Sequence, residues 1–171
     1  MTEPKQPRVA VLLPCYNEEA AIAATVAGFR KALPGATVYV YDNNSSDRTC
    51  AIAAKAGAVV RTERQQGKGH VVRRMFADVD ADIYVMADGD ATYDAGAAPA
   101  MIQRLMDEHL DMVVGARASE VDAAYRRGHR LGNRVLTGIR NSSAWTLISV
   151  SISKPADRIG KLLTKRREKT R

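Results

Sequence analysis

The chain has 171 residues, 46% of them hydrophobic and 26% charged, which suits one folded domain and excludes a chain disordered by composition. Its formal net charge of +7 is concentrated at one end, because residues 151–171 hold eight basic side chains against two acidic ones. Residues 1–150 are therefore close to neutral, which excludes a nucleic-acid footprint spread over the fold.

Arg8 to Leu13 (RVAVLL) reads as a buried strand, ended by Pro14. Asn17 is suited to cap a helix, with Glu18 and Glu19 favourable at its N-terminal dipole; that helix runs to about Leu33, where Pro34-Gly35 stops it. Thr37 to Tyr41 (TVYVY) is a second strand. Asp47-Arg48-Thr49 opens a second helix that Gly57 ends, and Ala58 to Arg61 is a third strand. Gln65 to Gly69 is a loop, followed by a helix over His70 to Val79. Asp82 to Ala87 (DIYVMA) is a fourth strand, Ala97 to His109 a helix and Asp111 to Ala116 a fifth strand. Val121 to about Arg140 is helical and rich in arginine.

Strands alternating with helices predict an α/β fold, with a mostly parallel central sheet covered by helices on both faces. Ligands bind beyond the carboxyl ends of the strands in such sheets, and polar clusters follow Leu13, Tyr41 and Ala87. After Ile139 the rhythm stops. The segment NSSAWTLISVSIS is apolar and hydroxyl-rich, and KPADRIGKLLTKRREKTR is basic. The expected organisation is a domain over residues 1–140 and an atypical basic tail over 141–171. The tail reads as a solvated segment, with a weakly amphipathic alternative (Ile159, Leu162, Leu163) suited to an anionic membrane surface.

Asp88-Gly89-Asp90 closes the fourth strand. Two carboxylates one residue apart can share Mg²⁺ or Mn²⁺ with substrate phosphate, since both ions prefer oxygen ligands. By itself the pair also fits a solvated, helix-capping turn. Pro14-Cys15-Tyr16-Asn17-Glu18-Glu19 offers a tyrosine for a nucleobase or ribose, or simply a capped helix start. Asp42-Asn43-Asn44-Ser45-Ser46-Asp47 offers acceptors for a base edge or ribose hydroxyls, or a turn with a cap. Gly67-Lys68-Gly69 lets backbone and a cation approach phosphate, or is a flexible turn; it does not match the phosphate loop of the common NTPases. His70, His109 and His129 share no ligand spacing, and Trp145 reads as a packing residue. Cys15 and Cys50 have no metal or redox spacing and read as free thiols of a reducing compartment. The polar start, Met1 to Arg8, lacks the apolar run of a signal peptide, and no apolar run reaches the roughly 18 residues of a membrane span. The expected location is cytoplasmic, at most peripheral to the membrane.

Taken together and in order, PCYNEE, DNNSSDRT, GKG, MADGDATYD, VGAR and RLGNRVLTG resemble the inverting family 2 glycosyltransferases of the nucleotide-diphospho-sugar transferase (GT-A) fold. The nearest likeness is to the dolichol- and polyprenyl-phosphate mannose synthase-like enzymes, over roughly Pro7 to Ile139. The resemblance implies a UDP- or GDP-linked sugar donor, a divalent metal, inversion and a polyprenyl phosphate acceptor. It places Pro14, Tyr16 and Glu18 along the nucleotide, Asp42 at the base or ribose and Lys68 near the nucleotide-sugar. Asp88 would contact the donor and its metal environment, and Asp90 would be the main metal ligand. Arg117, Arg126 and Arg130 would approach the acceptor phosphate, for which guanidinium is suited; the same arginines also fit the charged face of a surface helix. A sugar-hydroxyl acceptor would instead need a carboxylate base, with Asp94 the nearest spare candidate and a turn cap its plainer role. Beyond Ile139 the family pattern cannot be followed, so the acceptor side of the domain is expected to be missing or replaced. Two alternatives remain open: a nucleotide-sugar-binding remnant with impaired catalysis, and a sugar-phosphate nucleotidylyltransferase. The second is disfavoured because PCYNEE stands where that class carries a glycine- and arginine-rich loop.

Overall fold

The computed structural model describes residues 6–116 and 147–152. In chain order the elements are β1 (Val9–Cys15), α1 (Ile22–Ala32), β2 (Thr37–Asp42), α2 (Thr49–Lys55), β3 (Val59–Thr62), α3 (Lys68–Asp78), β4 (Ile83–Met86), a 3₁₀ turn (Ala95–Ala97), α4 (Ala98–Asp107), β5 (Met112–Ala116) and β6 (Leu147–Ile152). They form one six-stranded sheet in the order β3-β2-β1-β4-β6-β5. The pairings β3-β2, β2-β1 and β1-β4 are parallel, and β6 runs antiparallel to both β4 and β5. The mostly parallel α/β sheet expected from the sequence is the one found.

β1 is central because almost every residue in it is buried. Its alternation feeds two cores. Val11 and Leu13 point to the layer built with Val40, Val85, Ile22, Val26, Phe29 and Leu105, the last five brought by β4, α1 and α4. Ala10 and Leu12 point the other way, to Tyr41, Tyr84 and the Val71 and Met75 of α3. Helix α1 buries Ile22, Thr25, Val26 and Phe29, the i, i+3, i+4, i+7 stripe of an amphipathic helix. Burying the Phe29 ring alone contributes about 2–3 kcal/mol. Tyr84 is held on the second face by an edge-to-face contact with Phe76, centroids 5.1 Å apart, and its hydroxyl donates to the Val79 carbonyl at 2.6 Å. Gly57 follows α2 at φ +92°, the left-handed stop that favours glycine.

Two expectations are corrected. Asn17 does not cap α1. Its φ is +55°, a tight turn follows in which Glu18 accepts the amides of Ala21 and Ile22, and the helix begins only at Ile22 with no acidic residue in its first turn. The Asn17 side chain is engaged elsewhere, accepting the Ser46 amide at 2.8 Å. The second correction is at β6: part of the segment read as outside the strand rhythm, Leu147–Ile152, is a sheet strand. It pairs Met86 with Ser149 and Val113 with Val150. The sequence signal failed because LISVSI alternates apolar with hydroxyl residues in a stretch already departing from strand-helix order. The helix expected over Val121 to Arg140, and the basic residues beyond Ile152, lie outside the described residues.

Candidate functional site

Strand order reverses between β2-β1 and β1-β4, and an open sheet leaves a crevice at the strand ends of such a switch point. A cleft of about 370 Å³ opens there, reached by Pro14 and Cys15 at the end of β1, Tyr16 and Glu18 after it, Asn43 after β2, Gln66 to Lys68 and Val71 around the start of α3, and Asp88 after β4. The four polar clusters picked out in the sequence thus converge at one end of the sheet.

The loops are stitched to one another through backbone amides. Ser45 Oγ accepts the Asn17 amide at 2.8 Å, Thr49 Oγ1 the Glu18 amide at 2.8 Å and Asp47 Oδ2 the Glu19 amide at 3.1 Å. In return Glu19 accepts the Arg48 amide at 3.1 Å. Asp47 also accepts the Thr49 amide at 2.9 Å, closing a turn one residue ahead of Arg48, which stands at the N-cap of α2 without a side-chain cap. The DNNSSD acceptors are therefore mainly engaged in holding the β1 loop against the β2 loop.

Asp42 is the exception. It is 3% exposed; its Oδ2 accepts the Ser45 amide at 3.1 Å, and its Oδ1 is buried without a hydrogen-bond partner. Leaving such an atom unpaired costs free energy in proportion to its lost hydration, and the Cys50 thiol, its titration raised by burial and then by this carboxylate, is the neighbouring group that can donate to it.

Lys68 and Asp88 form an ion pair across the cleft, and the Tyr93 hydroxyl donates to the other Asp88 oxygen at 3.3 Å. Asp90 Oδ1 accepts the Thr92 amide at 3.0 Å and its hydroxyl at 2.6 Å. The glycine between the two aspartates is buried. A Cβ on Gly89 would stand 2.5 Å from Cys15 Sγ and 3.3 Å from Ile22 Cδ1, so only glycine lets the Asp88-Asp90 turn press against β1 and α1. The Gly89 carbonyl accepts the Thr25 hydroxyl at 3.0 Å. Burial pushes the Cys15 thiol far above its usual range, reinforced by the charges of Glu18, Asp42 and Asp88. Cys15 is therefore a packing residue, inert as a nucleophile, and both cysteines are free.

Glu18 reports the charge of this site. Its carboxyl titrates above the ordinary range, first because it is partly withdrawn from water and then because Asp90, Asp88 and Asp47 are negative nearby. Among the described residues no cluster of three or more His, Cys, Asp or Glu could hold a metal by itself. The donor set instead fits a hard cation held by one or two carboxylates, with substrate phosphate completing the shell, and the mutual repulsion felt at Glu18 is what such a cation would relieve.

Of the residues expected at the site, Pro14, Tyr16, Glu18, Lys68 and Asp88 line the cleft, with Tyr16 53% exposed. Asp42 lies buried at the end of β2, one residue from Asn43 on the cleft wall. Asp90 is two residues beyond Asp88 and not itself among the residues lining the cleft. Asp94 accepts the Gly96 amide at 2.8 Å and caps the 3₁₀ turn, its plainer expected role. Arg117, Arg126 and Arg130 lie outside the described residues. Two supporting side chains, Thr25 and Tyr93, were not singled out in the sequence, and Asn43, expected there as an acceptor for base or ribose, holds the turn before α3 instead. Asn43 donates to the carbonyls of Glu63 and Gln65 and accepts the Gly67 amide. Among the described residues no helix is long and apolar enough to cross a membrane.

The sequence model of glycosyl transferase family 2 matches residues 10–156. Protein RfbJ of Shigella flexneri is 55% identical over 123 residues, 71% of this chain and 95% of that protein. A dolichyl-phosphate hexose transferase of Haloferax volcanii is 33% identical over 133 residues, 78% of this chain and 58% of its own length. Glucosyl-3-phosphoglycerate synthase of Mycobacterium tuberculosis, solved with Mn²⁺ and UDP-glucose, superposes with a TM-score of 0.64 at 23% identity, covering 85% of this chain and 56% of that one. This likeness establishes the shared fold. The chain spans little more than half the length of the latter two proteins.

Proposed function

We propose that this chain, which belongs to glycosyl transferase family 2, binds a nucleoside-diphosphate sugar in the cleft above β1, β2 and β4 and transfers the sugar, with inversion, to a polyprenyl phosphate. The observation that carries the reading is the meeting of Lys68 and Asp88 across that cleft: a cation suited to phosphate faces a carboxylate suited to a divalent ion. Support for the donor comes from the mycobacterial synthase, solved with UDP-glucose. Support for the acceptor comes from the archaeal relative, named for dolichyl phosphate.

In this reading the exposed Tyr16 ring and Pro14 form the wall for base and ribose, with Glu18 beside them. Asp42, at the end of β2 beside the cleft residue Asn43, takes an N–H of a uracil or guanine base, or a ribose hydroxyl. Lys68 takes diphosphate charge. Asp88 and Asp90 would hold Mg²⁺ or Mn²⁺, which supplies neutralisation of the charge growing on the departing diphosphate. Arg117, Arg126 and Arg130 hold the acceptor phosphate.

The chemistry asks little more of the chain. A phosphate monoester with its second pKa at about 6 is largely anionic near neutral pH, so its oxygen attacks the anomeric carbon without a strong base. Asp94, the spare candidate base for a hydroxyl acceptor, caps the 3₁₀ turn through one oxygen and is not among the residues lining the cleft, which favours the phosphate acceptor. Catalysis then rests on positioning and on charge stabilisation.

The test is a thermal-shift titration with UDP, GDP and their sugar conjugates, with and without Mg²⁺ or Mn²⁺, on wild type and Asp90→Ala. A ligand confined to the native state raises stability as its concentration exceeds its Kd. A metal-dependent shift for one base, lost in Asp90→Ala, is the expected result. No shift with any nucleotide, from protein with a cooperative melt, would overturn the donor site.

A further inference from the structure

We propose that Lys68 competes with a divalent cation for Asp88, and that a nucleoside diphosphate relieves the competition by drawing Lys68 to its phosphates. Metal and nucleotide then bind cooperatively through one carboxylate. The inference rests on the donor-site reading above and assigns Lys68 a second task within it.

The two aspartates differ in their commitments. Asp88 has both oxygens engaged, one by the Lys68 ammonium and one by the Tyr93 hydroxyl at 3.3 Å. Asp90 engages only Oδ1, toward Thr92. A cation arriving alone finds Asp90 available and Asp88 already neutralised. A metal reaching the second oxygen of Asp88 faces the Lys68 ammonium held on the first, and the repulsion between the two cations weakens metal binding while Lys68 stays.

The backbone holds Lys68 in this place. Gly67 sits at φ +128°, which favours glycine, and its amide is fixed to Asn43 Oδ1 at 2.7 Å. Lys68 is the first residue of the eleven-residue α3. A cation there opposes the helix dipole, so the Asp88 pair offsets a local cost. A diphosphate offers a better partner, because it brings more negative charge to the ammonium than one carboxylate does, at a helix N-terminus that favours anions. Lys68 is 60% exposed in its side chain against 30% for Asp88, so the long lysine can swing while the carboxylate stays. By linkage, whatever factor nucleotide adds to metal affinity, metal adds to nucleotide affinity.

Mn²⁺ binding is read directly from the paramagnetic resonance signal of the free ion, for wild type, Lys68→Met and Lys68→Arg, with and without UDP or GDP. Lys68→Met should bind Mn²⁺ alone about fivefold tighter than wild type, the scale of an exposed ion pair. The factor by which nucleotide strengthens Mn²⁺ binding should shrink in the same variant, and Lys68→Arg should behave as wild type. If Lys68→Met melts without cooperativity, Lys68→Gln carries the same reading. Mn²⁺ affinity unchanged or weakened on removing the ammonium overturns the proposal, whether or not nucleotide binds. A gain in Mn²⁺ affinity with no nucleotide binding in any variant overturns the donor-site reading instead.

Discussion

The side-chain oxygen of Asn43 accepts the Gly67 amide at 2.7 Å while its Nδ2 donates to the carbonyls of Glu63 at 2.9 Å and Gln65 at 2.8 Å. One buried amide thus fixes the whole turn that carries Lys68. Asn43→Ala leaves these backbone groups to find other partners and should cost about 2–3 kcal/mol, as several partly buried bonds are lost together. Asn43→Asp should be at least as damaging, since a carboxylate faces two carbonyls where an amide donated. Equal melting midpoints for wild type and Asn43→Asp would show that the turn holds itself.

Gly89→Ala places a methyl group 2.5 Å from Cys15 Sγ. Overpacking of this kind costs about 1–3 kcal/mol. Cys15→Ala removes the offending sulfur, so the double variant should recover a large part of the loss. A double-mutant cycle from denaturant unfolding reads the coupling, and strict additivity would mean that the turn yields elsewhere.

Asp42→Asn keeps the shape of the side chain but halves its acceptor capacity and removes the charge. Because Oδ1 faces at most the weak donor of the Cys50 thiol, the stability change should be small. Nucleotide affinity should fall by at least about tenfold, the scale of a hydrogen bond to a charged acceptor. Isothermal titration with UDP and GDP separates this from a folding defect, and unchanged affinity would remove Asp42 from the base subsite.

Glu18 gives a pH signature. Its pKa is raised by partial burial and then by Asp90, Asp88 and Asp47. A carboxyl raised in the folded state binds more protons there than in the unfolded chain. Stability therefore falls as pH rises from the ordinary glutamate range through the raised value, and is fullest below that window. Glu18→Gln should raise the melting temperature near neutral pH and lose its advantage below the window. A constant advantage across pH would show that burial of shape, not charge, is the cause.

Much of this architecture is legible in the chain itself, for identifiable reasons. RVAVLL and DIYVMA declare buried parallel strands because both of their faces are covered, and Gly57 marks the end of α2 because the stop needs a left-handed residue. The carboxylates of the cleft are legible because they sit where apolar runs end. Asn17 misled because capping propensity is local, whereas its side chain is claimed by Ser46, 29 residues away. The roles of Thr25 and Asn43 were hidden for the same reason: one reads as part of a helix stripe and the other as one acceptor among several in a polar turn, and their partners are set by tertiary approach. β6 escaped because its pairing partners lie far back in the chain.

That pairing sets an order of events on the ribosome. The four parallel strands can assemble with α1, α2 and α3 as soon as residues up to Met86 have emerged. β5 cannot join them then, because its neighbour in the sheet is β6 and not β4. It must wait for residues 147–152 to be synthesised and to return across more than sixty residues to β4. Closing so long a loop is entropically slow and leaves strand edges open in the meantime. The nascent chain therefore passes through a stage in which its nucleotide end is built and its far edge is adhesive, a stage at which chaperones would be expected to attend it.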